Sequence, residues 1–273
     1  MRRVPTGVLP WHVFARGCRR LALYRQERDY REFFLFLREA LQTSGCWLLG
    51  YALMENHYHL ILRGDQSQLT KCMHRLNWRY ALFHNDVYRT KGHVFEGPYL
   101  AYYQRTRSAL LWRLAYVFLN PVMAGLAETP QQYPWSGYLS FSGQAGSPVP
   151  VSPPSEWDPL FERNPAEAKR HFQEILAYQR TLNAKSSPRH VSAREIQIQE
   201  FHWLLHMATE RVAQKPGLAA EDLAIYWGSD AGIPPHIMGA CLRRSSSTVL
   251  RRIRRFKERI QADARFAPLT HLP

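Results

Sequence analysis

Apolar positions in the first half of the chain alternate between the two-residue period of a strand and the period of a helix. Short apolar runs predict strands at Trp11–Gly17, Cys46–Met54, His57–Gly64 and His93–Gln104. Helical spacing predicts helices over about 29–41, 69–88 and 107–119. An Asp29–Glu32 capping box is expected to begin the first helix, and Gly45 to end it. The order β-α-β-β-α-β-α predicts an α+β domain with a ferredoxin-like antiparallel sheet.

The second half of the chain has a different pattern. Residues Ser142–Pro159 are rich in Ser, Gly and Pro, which predicts a linker, and Pro165–Arg180 is compatible with a short helix. Helical spacing returns from about Glu195 and ends in the arginine-rich stretch Gly239–Ile260. We therefore expect an α+β domain over 1–143, a linker over 144–194 and a small all-α domain over 195–273.

Net charge indicates the kind of partner. Thirty-six Lys and Arg residues against 22 Asp and Glu residues give a formal net charge of +14 and a pI of about 9.9. Each basic side chain laid on a phosphate releases condensed counterions, so a polyanion is the expected partner. A basic surface that serves only solubility is the alternative. Arginine outnumbers lysine and its planar fork matches phosphate geometry, which favours nucleic acid.

Cysteine usage and hydropathy limit the class of protein. The four cysteines are scattered without a CxxC pair, which argues against a disulfide scaffold and a cysteine zinc site. The N-terminus has no apolar signal region, and no window approaches the length of a membrane span. We expect a cytoplasmic protein that has no membrane partner.

The stretch "MENHYHLIL" places two histidines in a predicted strand. Successive strand side chains point to opposite faces, so His57 and His59 share a face. Alternate α-carbons lie roughly 6–7 Å apart, close enough for both imidazoles to reach one divalent cation. The alternative is a pair of half-buried histidines that only make hydrogen bonds. The remaining histidines, His12 among them, are assigned no role.

The stretch "LAYVFLNPVMAGL" offers further candidate groups. Tyr116 and Asn120 are four residues apart and therefore lie on one helix face. An amide oxygen beside two imidazoles would make a mixed set of ligands suited to Mg²⁺ or Mn²⁺. Asn120 before Pro121 is also typical of a helix start, so ligand, N-cap or both remain open. Tyr116 could equally be a core aromatic residue.

Four motifs in this order carry a family resemblance: "MENHYHLIL", "GHVFEGPY", "YVFLNPVMAGL" and "YPWSGY". Together they resemble the REP-associated tyrosine transposases, in the single-tyrosine branch of the HUH nuclease superfamily, over roughly residues 8–141. The resemblance implies a ferredoxin-like fold, with His57, His59 and Asn120 as metal ligands and Tyr116 as nucleophile. It also implies a single-stranded DNA substrate with a hairpin and no nucleotide cofactor. The oligomeric state stays open, with a monomer favoured over a dimer.

Two basic segments are candidate DNA-binding surfaces. On the predicted second helix, Lys71, Arg75 and Arg79 accompany Trp78, which would suit a single strand whose bases stack while arginines follow its backbone. A solvated helix face is the alternative. Near the C-terminus a basic helix is expected to enter a DNA groove through Arg251, Arg252, Arg254 and Arg255. This segment loosely resembles the C-terminal helices of replication initiators; otherwise it aids solubility or packs on the first domain.

The predicted function is a metal-dependent single-stranded DNA endonuclease and strand transferase that forms a 5′-phosphotyrosine on hairpin-forming repetitive palindromic DNA. A domesticated protein that binds hairpins without cutting them is the first alternative. A metal-dependent phosphodiesterase that uses water, for which Tyr116 would be dispensable, is the second.

Overall fold

The computed structural model describes residues 7–104, 106–152, 170, 172–177, 193–212 and 219–262. The chain divides into two compact units. The first comprises Met1–Gln104 and Arg113–Lys169, and the second comprises Arg105–Trp112 and Arg170–Pro273.

The first unit is built on four antiparallel strands. They are β1 (Leu9–Arg16), β2 (Trp47–Met54), β3 (His57–Gly64) and β4 (Leu100–Tyr103). Their order in the sheet is β2-β3-β1-β4, and each neighbouring pair is antiparallel. This is the order of a split βαβ fold, so the predicted ferredoxin-like sheet is confirmed. Strand β4 is shorter than predicted, because within 93–99 only Phe95 bridges to Gly17.

Four helices accompany the sheet: α1 (Glu27–Ser44), α2 (Gln66–Tyr88), α3 (Arg107–Met123) and the short α4 (Tyr138–Phe141). Helix α1 begins two residues before the predicted capping box, so that prediction is wrong. Asp29 instead lies within the first turn, where its carboxylate accepts hydrogen bonds from the backbone N–H groups of Arg25 and Gln26 at 2.8 and 3.0 Å. Gly45 ends the helix as predicted, in the left-handed conformation with φ 73°.

The two faces of the sheet have different covers. Alternate residues of β1 and β3, such as Val13 and Leu60, point into a core formed with α1 and α2. Phe33 of α1 and Tyr80 of α2 belong to this core. The opposite face carries the intervening residues and is covered by α3, whose Leu114 and Phe118 approach Gly50 of β2.

Part of the predicted linker folds against the sheet. Val149 and Val151 are buried in the core of the first unit. The Tyr51 hydroxyl donates to the Val149 carbonyl at 3.1 Å and accepts from its N–H at 3.2 Å. Ser152 donates its N–H to the Leu48 carbonyl at 2.8 Å. Composition predicted a linker from residue 144, whereas residues 149–152 are held on β2.

The second unit is helical in its described part. It contains α5 (Ala193–Val212), α6 (Ala220–Asp230), α7 (Pro235–Leu242) and α8 (Ser246–Ala262). Residues 172–177 are helical, and the rest of the predicted helix Pro165–Arg180 lies almost entirely outside the described residues. None of the helices in the described ranges combines the length and the apolar character that a membrane span requires.

Gly50 provides the space that lets α3 approach the sheet. A Cβ at this position would lie 2.5 Å from Leu114 Cδ2 and 3.2 Å from Phe118 Cζ, and both of these side chains are fully buried. We expect Gly50→Ala to lower the free energy of unfolding by about 1–3 kcal/mol, because a packed interior resists added volume. Denaturant unfolding of both proteins measures this difference in the free energy of unfolding.

Gly97→Ala is the matched control, because no atom lies within 4 Å of its added Cβ. Equal stability of the two variants would contradict the close approach of α3 to β2.

Candidate active site and DNA-binding surfaces

Three histidines meet on the face of the sheet that α3 covers. In the β1–β3 ladder His12 pairs with Ile61, and His59 pairs with Phe14. The diagonal between these pairs brings His12 Nε2 to 3.0 Å from His59 Nδ1. Both side chains are 1% exposed. The hydrogen bond therefore joins two imidazoles in the interior of the protein.

His57 lies beside this pair and is the first residue of β3. Its Nδ1 is 2.7 Å from the side-chain oxygen of Asn56. Since that oxygen only accepts, Nδ1 of His57 carries the proton. The rings of His57 and His59 have centroids 5.0 Å apart and are nearly perpendicular, at 88°. The two side chains thus share a face, as predicted, and each uses Nδ1 in a hydrogen bond.

Helix α3 places Tyr116 against the same histidines. The Tyr116 ring centroid lies 5.7 Å from that of His59 and 6.2 Å from that of His12, both in edge-on contact. Tyr116 is 2% exposed. A residue 57 positions after His59 therefore returns to the histidine face, and the ring is buried there.

Asn120 lies one turn further along α3. The helix runs continuously to Met123, with Pro121 inside it, so Asn120 is an interior residue. The interpretation of Asn120 as an N-cap is therefore wrong. Proline has no N–H to donate to the preceding turn, and the Asn120 side-chain amide donates to the Tyr116 carbonyl at 2.9 Å. This bond fixes the amide group in the buried turn where proline interrupts the backbone ladder.

His12 is the site residue that sequence reasoning missed. Burial lowers the pKa of His12 well below its usual value, and the positive charge of Arg113 lowers it further. His12 is therefore neutral near pH 7, and its Nε2 can accept the Nδ1–H of His59. Alternation along β1 places His12 and Phe14 on one face, but only the register with β3 reveals that His59 is their neighbour.

The donor atoms can be tested against a cation. Within the described ranges, no group of three or more His, Cys, Asp or Glu side chains is arranged to hold a metal ion. A set of ligands made of two imidazoles and the Asn120 amide oxygen does not belong to this class, because its third member is an amide. Metal-bound histidines typically donate their second ring N–H to a neighbour, and Nδ1 of both His57 and His59 is hydrogen-bonded. Because Nδ1 of each ring is already hydrogen-bonded, Nε2 is the ring atom that a divalent cation would contact, and the donor chemistry fits such a cation.

A basic and aromatic border extends from the histidines towards the edge strand. Arg16 pairs directly with His57 across the β1–β3 ladder and shares its face. Phe14 stacks on Tyr102 of β4, with ring centroids 6.2 Å apart and planes at 16°. Tyr102 is 39% exposed. We call Phe14, Arg16 and Tyr102 the strand border.

The predicted basic face of α2 lies on the opposite side of the sheet. Leu76 and Tyr80 of α2 pack into the α1–α2 core, so the outward face of α2 points away from the histidines. There Arg75 forms an ion pair with Glu39 of α1, and Arg79 lies 3.7 Å from the same carboxylate. Lys71 is exposed and Trp78 is 54% exposed; both line a groove of about 960 Å³.

The four predicted arginines of the C-terminal helix have different environments. Arg252 is half-buried and forms ion pairs with Asp222 at 2.6 Å and Glu221 at 2.7 Å, both at the start of α6. These carboxylates raise the pKa of Arg252 in spite of partial burial. Arg251, Arg254 and Arg255 are exposed. The expectation that Arg252 contacts DNA therefore conflicts with its position, because its guanidinium joins α8 to α6.

Removing the ion pairs of Arg252 with Glu221 and Asp222 tests this structural role. We expect Arg252→Ala to raise the hydrogen-exchange rates of α6 amides, with a loss of about 1–2 kcal/mol in local stability, because the ion pairs are only partly buried. Exchange measured by mass spectrometry over Ala220–Asp230 gives the effect. Arg255→Ala, which removes an exposed arginine from the same helix, should leave these rates unchanged. Equal hydrogen-exchange rates of the α6 amides in both variants would contradict the structural role of Arg252.

Comparison with known proteins agrees with the motifs. Residues 8–109 match the model of a family described as IS200-like transposases. This segment contains His57 and His59 and ends before Tyr116. No curated protein matches the chain significantly.

The solved structures that are similar to the chain include two transposases. One is a REP-associated tyrosine transposase bound to a REP hairpin, with 12% identity, a TM-score of 0.46, and coverage of 60% of this chain and 97% of that chain. The other is a candidate transposase from Deinococcus radiodurans R1, with 17% identity, a TM-score of 0.30, and coverage of 37% and 85%. The segment that carries both strand histidines, residues 8–109, is therefore similar to the IS200-like transposase family.

Proposed function

We propose that the first unit is a metal-dependent single-stranded DNA endonuclease and strand transferase in which Tyr116 is the nucleophile. The observation that carries the proposal is the packing of the Tyr116 ring 5.7 Å from that of His59. A phenol held beside paired imidazoles combines a nucleophile with groups that can bind a cation. A protein that only bound DNA would have no physical need for this combination.

The reaction is a transesterification. The Tyr116 oxygen attacks the phosphorus of a DNA phosphodiester and releases its phenolic proton to water. A new oxygen–phosphorus bond forms, the bond from phosphorus to the 3′ oxygen breaks, and that oxygen takes up a proton. The products are a 5′-phosphotyrosine and a free 3′ hydroxyl. Because the number of phosphoester bonds is unchanged, a second 3′ hydroxyl can reverse the step and join DNA without a nucleotide cofactor.

Mg²⁺ or Mn²⁺ would be held by His57, His59 and the amide oxygen of Asn120. When bound, such a cation polarises a phosphoryl oxygen and stabilises the charge that develops in the transition state. His12 accepts the Nδ1–H of His59 and so positions the ring. Asn120 also holds the Tyr116 turn through its amide N–H, which couples a ligand to the segment that carries the nucleophile.

The strand border is the proposed path of the DNA. His57 is half-buried, whereas His59 and Tyr116 are almost fully buried, so the scissile phosphate enters from the side of His57. Arg16 lies next to His57 and can contact the phosphate, and bases can stack on Phe14 and Tyr102. The family resemblance supplies the hairpin of a repetitive palindromic element as substrate.

The α2 face is proposed to contact DNA away from the cleavage point. The sheet and the α1–α2 layer separate this face from Tyr116, so one nucleotide cannot contact both. Lys71 and Trp78 offer a charge and a stacking surface for a more distant part of the substrate. Arg75 and Arg79 are engaged with Glu39 and would have to share their charge between the carboxylate and DNA.

A hairpin-binding protein without cleavage activity is the second candidate. Its support is the 2% exposure of Tyr116, which keeps the phenol from bulk solvent in this conformation. An active enzyme must open this cover when DNA binds, whereas a binding protein has no such requirement.

Substitution of Tyr116 by phenylalanine separates the candidates. The protein is incubated with labelled single-stranded hairpin DNA and Mg²⁺ or Mn²⁺ and analysed on a denaturing gel. We expect a covalent protein–DNA band from the unaltered protein and its complete loss in Tyr116→Phe, because phenylalanine has no nucleophilic oxygen. Tyr102→Phe is the matched control and should retain the band, because a phenyl ring still stacks.

Each other outcome of this assay identifies a different function. Cleavage that survives in Tyr116→Phe would indicate a hydrolase that uses water. Binding without any cleavage by the unaltered protein would indicate the hairpin-binding protein.

The role of His12 is tested through metal affinity. We expect His12→Phe to weaken Mn²⁺ binding about 10–100-fold, the usual effect of losing a partner of a metal-bound histidine. His12→Gln, which can still accept a hydrogen bond, should recover part of this loss. Calorimetric titration with Mn²⁺ gives the affinities. His84→Phe is the control, because His84 is buried on the α2 side of the sheet. Unchanged Mn²⁺ affinity in His12→Phe would argue against the positioning role.

A further inference from the structure

The end of the second unit has the geometry of a helix-turn-helix. Helices α7 and α8 are joined by three residues, Arg243–Ser245. Arg243 adopts the left-handed conformation with φ 54°, which turns the chain after α7. The Ser245 hydroxyl then accepts the N–H of Thr248 at 3.3 Å and caps α8. A short helix, a three-residue turn and a longer helix are the parts of this DNA-binding motif.

Close packing holds the motif together. A Cβ on Gly239 of α7 would lie 2.6 Å from the Arg244 carbonyl oxygen, so only glycine permits this approach of the helix to the turn. Met238 of α7 and Val249 of α8 are fully buried. Ion pairs from Arg252 to Glu221 and Asp222 fix α8 on α6. The outward face of α8 is therefore presented by a rigid support.

That outward face combines cations with one apolar group in its first three turns. Helical geometry places the buried stripe of Val249, Ile253 and Phe256 on one side. The opposite side carries four exposed residues: Ser247, Leu250, Arg251 and Arg254. Leu250 is 54% exposed, so its apolar side chain does not contribute to the core of the second unit.

We propose that α8 is the recognition helix of a second DNA site, which reads duplex DNA in the major groove. The N-terminal residues of such a helix reach base edges. Arg251 and Arg254 can each make paired hydrogen bonds to guanine, and Leu250 can contact a thymine methyl group. This site goes beyond the single-strand chemistry of Tyr116 and is independent of it.

Neighbouring side chains supply contacts to the DNA backbone. A groove of about 630 Å³ runs between α8 and the start of α6. Arg244, Thr248 and Arg255 line it. Arginine and hydroxyl groups beside a recognition helix typically bind phosphates, which sets the position of the helix on the duplex.

The chemistry of α8 favours a duplex over a single strand. Single-strand sites depend on exposed aromatic rings for stacking. Phe256 is the one aromatic residue of α8, and it is buried. Glu258 lies in the fourth turn of the exposed face, 3.8 Å from Arg254, so favourable contacts with DNA are confined to the first three turns. A continuous basic track along the helix, which would suit nonspecific binding, is therefore interrupted.

The experiment is selection of duplexes from a randomised double-stranded library by the full-length protein. Three proteins are compared: unaltered, Arg251→Ala and Lys257→Ala. Lys257 is exposed in the fourth turn of the same helix, beyond the turns proposed to read bases, and its removal costs one charge as well. We expect the unaltered protein to enrich one short duplex motif. Arg251→Ala should lose preference at one base pair and bind the motif about tenfold more weakly.

Lys257→Ala should keep the motif and weaken binding to all duplexes alike. Absence of an enriched motif, or equal behaviour of the two variants, would overturn the proposal. Absence of a covalent band in the Tyr116 assay would not overturn the duplex-site proposal. The Tyr116→Phe protein, which cannot form the band, is expected to select the same duplex motif. Failure of the duplex site and failure of the nuclease proposal are therefore distinguishable.

Discussion

The hydrogen bond between His12 and His59, 3.0 Å long and buried between two strands, is the constraint on which the site depends. Two imidazoles in an apolar interior are costly unless they bond to each other. A slip of one residue between β1 and β3 would turn one of them to the opposite face and separate them. Strand register therefore fixes the orientation of His59, and through it the proposed metal site.

Helix α3 completes this arrangement but restricts the access of substrate to Tyr116. Gly50 lets the helix lie close on the sheet, which brings Tyr116 to the histidines and buries it. Burial protects a reactive group and holds it in one orientation, but it also excludes a bulky substrate. Pro121 interrupts the backbone ladder of this helix, and in the same turn the Asn120 side-chain amide donates to the Tyr116 carbonyl. The second unit, with its own helix-turn-helix geometry, adds a duplex site to a single-strand enzyme in the combined proposal.

Sequence patterns predicted the strands, the helices and the common face of His57 and His59, because strand alternation and helical spacing are local properties. The placement of Tyr116 near them came from the family resemblance. The role of His12 depends on which residue of β3 lies beside it, which is a property of register rather than of local sequence. Asn120 was ambiguous because an Asn-Pro pair is typical of helix starts, and tertiary packing carried α3 through the proline instead. Arg252 looked like its exposed neighbours because composition does not show the carboxylates of α6.

Tandem mass spectrometry of the peptide linked to DNA identifies the side chain that attacks the phosphodiester. The protein is reacted with a single-stranded hairpin, the DNA and protein are digested, and the site of the phosphodiester is located within the peptide that begins after Arg113. We expect the modification on Tyr116, with Tyr133 and Tyr138 of the same region unmodified. A nucleotide attached to any other side chain would contradict it.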